Sequence, residues 1–315
     1  MRRLIALVTV SAMTLLGLVS VGGPAQAKAP GPNGQIVFAK FDPAVDDLTS
    51  FTINPDGTHE FRLLPDLPGE CPRWSPDGSK ISVPATTGGG LTVATVDADG
   101  SDFTLLGPAP APLNLGCSTW SPDGIRLAVE GFSDDHPELR GIYTVRSSDG
   151  GDLVRVTDNT IDDRVGDYSP DGTRISFVRL KLGQHKESFA LFVVNTDGSG
   201  LRQLTPFGLA GETSTSWSPD GRKILFGSAR GKLFVVHPDG TGLTQIPVDT
   251  GGGFSFAFGP GWSPDGKNMV FSLFLATTGQ VDIYTARANG THLFQVTNTP
   301  DVEESADWGP HPLAT

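Results

Sequence analysis

The sequence predicts an all-β fold, a six-bladed β-propeller of four-stranded antiparallel blades whose ring is closed by the C-terminal strand. Three observations predict it. A Trp-Ser-Pro-Asp-Gly motif recurs along the 315 residues, the copies stand 45 to 49 residues apart, and the chain is dense in turn formers, with 40 Gly and 25 Pro. A fixed period of this length is the signature of a propeller or an array, and abundant turn residues favour many short strands over long helices.

The motif runs from Trp74 to Gly78 and returns at Trp120 to Gly124, Tyr168 to Gly172, Trp217 to Gly221 and Trp262 to Gly266. A shortened copy closes the series at Trp308-Gly309-Pro310. Within each unit the order is an aromatic residue, the Ser-Pro-Asp-Gly turn, an apolar strand, a variable loop, a second apolar strand, an Asp-Gly or Asn-Gly turn and a final strand. The clearest copy reads Ile175-Ser176-Phe177-Val178, Leu191-Phe192-Val193-Val194, Asp197-Gly198 and Leu201 to Thr205. Proline sets φ early in the turn, aspartate bonds the local backbone, and glycine takes the positive φ that follows. The Asp-Gly pair before the last strand is a hairpin signal for the same reason. Trp74, Trp120, Tyr168, Trp217, Trp262 and Trp308 share one repeat position and are expected to pack between blades.

Two ends complete the count. The chain enters in the second strand of a blade, at Gln35-Ile36-Val37-Phe38, and finishes on a lone first strand around Ala306-Asp307-Trp308, which is expected to complete that blade. One domain is predicted over residues 34–311, with residues 28–33 as a short lead-in. Residues 1–27 read as a cleaved signal peptide: Arg2 and Arg3, an apolar run from Leu4 to Val21, and an Ala25-Gln26-Ala27 site. The chain is therefore expected to be exported, either secreted or periplasmic in the cell envelope, with no membrane insertion after cleavage.

The formal charge is −12, and removing Arg2 and Arg3 with the signal makes it two units more negative, since residues 1–27 hold no carboxylate. Such a surface repels phosphate backbones, which excludes nucleic acid as a partner. The tandem Trp-Ser-Pro-Asp-Gly turns, followed by segments such as Ile175-Ser176-Phe177 and by Asp197-Gly198 with Leu204-Thr205 behind it, resemble the TolB-type propeller repeat. The same repeat occurs in propellers that cover some serine peptidases. The resemblance spans nearly the whole chain after the signal and implies a propeller platform for protein or ligand contacts.

Strand alternation places the Ser-Pro-Asp-Gly and Asp-Gly turns on one face of the ring, and the loops leading into each inner strand on the other. The second face is acidic. Glu70, Asp163, Arg164, Glu212, Glu303 and Glu304 lie four or five residues before the blade aromatics, which puts them near the mouth of the central channel. They are candidates for binding a basic segment or a cation, set against the plain alternative of solvated loop charges and, for Arg164, a structural ion pair. Cys71 and Cys117 each stand three residues before a blade tryptophan, so they are either a disulfide stapling neighbouring blades or two buried thiols. Asp97-Ala98-Asp99-Gly100-Ser101-Asp102 has the alternating oxygens of a calcium loop, but Asn195-Thr196-Asp197-Gly198 and His237-Pro238-Asp239-Gly240 stand at the same repeat position, and a hairpin turn accounts for all three.

No nucleophile elbow, zinc helix or phosphate loop is present. His136 and His185, with Asp134, Asp135 or Glu187, are the nearest approach to an acid-base or metal site. The expected role is a monomeric, non-catalytic module that binds a protein or peptide of the cell envelope through its acidic mouth, with no cofactor. The alternative is a metal-assisted propeller hydrolase or lyase acting on a lactone, sugar or peptide, with a divalent cation such as calcium held by channel carboxylates.

Overall fold

The computed structural model describes residues 32–64, 67–158, 161–183 and 187–310, except for the side chains of residues 212 and 213. The signal reading of residues 1–27 lies outside the described residues. Within them the fold is an all-β propeller, relieved only by the short 3-10 turn Pro137–Leu139.

One repeat shows how the others are built. The inner strand Asp163–Tyr168 is followed outward by Arg174–Lys181, Ser188–Asn195 and the two-residue Arg202–Gln203, all antiparallel, with Ile175↔Val194 and Phe177↔Phe192 in register. Alternation sends Ile175 and Phe177 to the face that packs on Ala128 and Ile142 of the preceding repeat. The core therefore lies between repeats rather than within one. The short outermost strands leave little edge for another chain to pair with.

The inner-to-outer order repeats, but not as six separate sheets. The described strands form four four-stranded sheets and one eight-stranded sheet. The larger sheet holds two consecutive repeats joined by a single pair, Phe189↔Ala210. Ala210 opens the inner strand Ala210–Trp217 and is also paired with Ser228 of its own repeat, so it sits against both neighbours. At the ends of the chain, Glu303–Trp308 pairs antiparallel with Ile36–Asp42, bringing Ile36 opposite Trp308 and Lys40 opposite Glu303.

The Ser-Pro-Asp-Gly turns are closed by their own side chains. Ser75 Oγ donates to Asp77 Oδ1 at 2.6 Å, the Ser79 N–H donates to the same oxygen at 3.0 Å, and the Lys80 N–H donates to Ser75 Oγ at 2.9 Å. The other complete copies use the same bonds, for example Ser169 to Asp171 and the Arg174 N–H to Ser169. Burial opposes ionisation of Asp77, but the hydrogen bonds from Ser75 and Ser79 prevail and hold its carboxyl below the usual range. Turns of neighbouring repeats also touch: a Cβ on Gly172, at φ +70°, would stand 3.6 Å from Pro122 Cγ. The blade aromatics are buried at the seams. Trp120 Nε1–H donates to the Arg73 carbonyl of the previous repeat at 3.2 Å, and the Arg174 guanidinium lies 4.8 Å over the Trp217 ring of the next.

Candidate functional site: the channel mouth

Each inner strand approaches its aromatic residue from the mouth of the channel, and the period of two decides which side chains reach that mouth. The residues four before the aromatics are Glu70, Gly116, Arg164, Thr213, Phe258 and Glu304; those five before are Gly69, Leu115, Asp163, Glu212, Ala257 and Glu303. Glu70, Arg164 and Glu304 of the first set line a cavity of about 310 Å³, together with Arg73, Glu130 and Ser214. Leu115 and Ala257 of the second set belong to the cores between repeats.

Two of the six candidates therefore face away from the open mouth. Asp163 is 4% exposed, and its carboxylate takes two bonds from Arg179, at 2.7 and 2.8 Å, and one from the Thr157 hydroxyl at 2.7 Å. That is a structural ion pair across two adjacent strands. Glu303 is 0% exposed and accepts from the Thr299 hydroxyl at 2.9 Å, while Lys40, opposite it in register, forms its ion pair with Glu60. Burial pushes the Glu303 carboxyl up to about 7. Glu212 lies in the strand Ala210–Trp217, and its side chain is outside the described residues.

Glu70 and Glu304 are neighbours at the rim. Burial raises the Glu304 carboxyl above its ordinary value, and the Glu70 charge raises it further. Among the described residues no lysine or arginine pairs with either carboxylate. Across the mouth, Arg164 reaches Glu130 Oε2 at 3.5 Å and Asp162 Oδ2 at 3.6 Å, longer than the roughly 2.8 Å of a close charge-assisted hydrogen bond. Asp162 also pairs with Arg140. These groups border a second cavity of about 200 Å³, which shares Glu130 and Arg164 with the first.

Glu130 was not foreseen from the sequence. It sits in the second strand Arg126–Phe132 and is 8% exposed; its Oε1 accepts the Val165 N–H at 2.9 Å. Burial drives its carboxyl up to about 7, against the pull of Arg164 and the Val165 N–H. The signal was available: at the same distance after the other aromatics stand Pro84, Val178, Gly227 and Ser272, so a carboxyl at that strand position is singular.

Cys71 and Cys117 are bonded, with Cα atoms 5.8 Å apart, and the bridge forms part of the wall beneath Glu70. Asp99 accepts from the N–H and hydroxyl of Ser101 at 3.0 and 2.6 Å, as a hairpin turn requires. His136 Nδ1 lies 2.9 Å from Glu138 on an exposed loop, and His185 is outside the described residues. Among the described residues, no group of three or more His, Cys, Asp or Glu is arranged to hold a metal ion.

Residues 35–252 match the family model of the TolB beta propeller domain. The chain belongs to that family. Among curated proteins, this TolB-type chain is 31% identical over 124 residues to an uncharacterized peptidase, YuxL, of Bacillus subtilis, covering 36% of the chain and 18% of that protein. It is 27% identical over 142 residues to the Tol-Pal system protein TolB of Ruthia magnifica, covering 42% of the chain and 31% of that protein. The match thus spans less than a third of either relative's length. Among solved structures, TolB from Acinetobacter baumannii superposes with a TM-score of 0.68 at 19% identity, covering 88% of this chain and 67% of that one, a likeness of fold. No helix among the described residues is long and apolar enough to cross a membrane.

Proposed function

We propose that this TolB-type propeller is an exported, monomeric, non-catalytic module of the cell envelope that engages a protein or peptide through its channel mouth. Its platform is a closed ring of six four-stranded blades. The eight-stranded sheet counts as two blades because one residue pair joins them, and the pairing of Ile36–Asp42 with Glu303–Trp308 supports closure. The observation that carries the reading is the rim pair Glu70 and Glu304, two carboxylates close enough to repel in a concave mouth, neither held in an ion pair among the described residues although Arg73 lines the same cavity. A low-dielectric concavity focuses their field outward, so a cationic group entering it relieves their repulsion.

The test is capture of cell-envelope proteins by the tagged mature protein, beside a variant carrying Glu70→Lys and Glu304→Lys. A partner held by the wild type and lost by the variant, at unchanged Tm, supports the reading. If both forms retain the same set, or neither retains anything, the mouth is not a binding surface. N-terminal sequencing of the exported product tests the cleavage after Ala27.

A further inference from the structure

The Ser-Pro-Asp-Gly turns lie away from the mouth, and two of them wall a cleft of their own. It opens between the repeat entered at Arg73–Trp74 and the one entered at Asn114–Trp120, with a volume of about 580 Å³. Ligand pockets have this size.

The register of the strands gives the cleft its cause. Six residues after Tyr168 stands Arg174, opposite the neutral Asn195, and its guanidinium lies 4.8 Å over the Trp217 ring of the next repeat. Six residues after Trp120 stands Arg126, opposite Arg146. Six residues after Trp74 stands Lys80, opposite Asp97, and that carboxylate holds its ammonium at 2.5 Å. Of the three cations only Lys80 has a carboxylate across the ladder. The tether to its own repeat keeps the ammonium from lying over Trp120 as Arg174 lies over Trp217, and the wedge between the repeats stays open.

The walls offer two kinds of surface. Pro76, Pro122 and Trp120 present C–H groups, while Ser79, Thr95 and Ser148 present hydroxyls. Thr95 is 4% exposed, and its hydroxyl has no hydrogen-bond partner among the described residues, although buried hydroxyls ordinarily have one. Asp77 and Asp123 each use Oδ1 to close a turn, and Oδ2 of each accepts no hydrogen bond among the described residues. Two carboxylates repel an anion. A small cation would answer them but leave the apolar walls uncovered. A sugar ring donates to the Oδ2 atoms, exchanges a hydrogen bond with Thr95 and lays its C–H groups on the rings.

We propose that this cleft is a second ligand site, taking a short saccharide without acidic groups. It is separate from the mouth and does not depend on the role proposed there.

The experiment is an NMR titration of the ¹⁵N-labelled mature chain with neutral disaccharides of differing linkage, and with glucuronate and ethylammonium, following the Trp120 indole N–H and the Thr95 amide. At least one disaccharide is expected to shift both signals with a Kd of about 1 mM, and glucuronate to shift neither. Thr95→Val keeps the shape, removes the hydroxyl and should weaken that binding about fivefold, the scale of one neutral hydrogen bond. Asp97→Asn releases Lys80 toward Trp120 and should weaken it too; if that variant lowers Tm, Thr95→Val carries the test alone. Glu70→Lys with Glu304→Lys should bind the saccharide as the wild type does, whatever becomes of the mouth. The proposal is overturned if no disaccharide shifts these signals at about 10 mM, tenfold above that Kd. It is equally overturned if Thr95→Val binds as tightly as the wild type, or if ethylammonium produces the same shifts at the same concentration.

Discussion

Glu130 Oε1 accepts the backbone N–H of Val165 at 2.9 Å, so a carboxyl group from the second strand of one repeat ties down the inner strand of the next. The contact places a titratable group at a seam between repeats, beside the mouth and almost out of water.

Its protonation couples stability to pH. Burial lifts the carboxyl from its ordinary 4.5 to about 7, so the folded chain holds a proton that the unfolded chain releases. The stability this contributes is fully present below about pH 4.5 and is lost as pH rises through about 7. Glu303 behaves in the same sense, with its carboxyl also near 7. Glu130→Gln should therefore show a smaller fall in Tm between about pH 5 and about pH 8 than the wild type. Calorimetry across that range checks it, and an unchanged slope would show that Glu130 titrates normally.

The ion pair Asp163–Arg179 should matter for folding and not for binding. Arg179 also lies 5.3 and 5.2 Å over the rings of Phe177 and Phe192, so its guanidinium is held on three sides. Asp163→Ala leaves that cation buried without its partner and is expected to cost about 3–5 kcal/mol. Denaturant unfolding measures the loss, and any lysine peptide that binds the mouth should bind the folded fraction with wild-type affinity.

Reduction of Cys71–Cys117 should destabilise the chain. The bridge closes 46 residues, and loop-closure entropy for that length corresponds to about 4 kcal/mol. Paired unfolding curves with and without reductant test this, with Cys71→Ser/Cys117→Ser as the permanent counterpart.

Turn glycines should differ sharply in tolerance. Gly172→Ala meets Pro122 at an ordinary 3.6 Å and suffers chiefly from its positive φ, about 1–2 kcal/mol. Gly290→Ala would put a methyl 2.1 Å from the Pro247 carbonyl oxygen, an overlap with backbone that only movement of the chain relieves. A larger drop in Tm for Gly290→Ala than for Gly172→Ala is expected.

The propeller was legible because Ser-Pro-Asp-Gly is a local chemical device: Ser75 and Asp77 close the turn by themselves, so the motif marks the same geometry wherever it occurs. The joining of two repeats into one sheet was not legible, since it depends on Phe189 meeting Ala210 after an intervening loop has chosen its path. The mouth was half legible. Spacing from the aromatics brought attention to the right stretch, but four residues and five differ by a half-turn of the pleat. Glu70 and Glu304 line the mouth, while Asp163 and Glu303 are shut inside. Glu130 escaped because it comes from a different strand and reaches the mouth only through the packing of one repeat on the next.

The pairing of Ile36 with Trp308 has a mechanical consequence. The two ends of the described chain lie at the same end of this ladder, where the Gly34 N–H meets the Gly309 carbonyl and the Gly309 N–H meets Gln35. Antiparallel hydrogen bonds run across the strands, so tension applied through both ends loads the bonds one after another instead of shearing them together. A handle attached at each end would unzip this pair of strands from Trp308 toward Glu303 at low force, whereas a pull between Ile36 and Glu303 would have to slide the whole ladder at once.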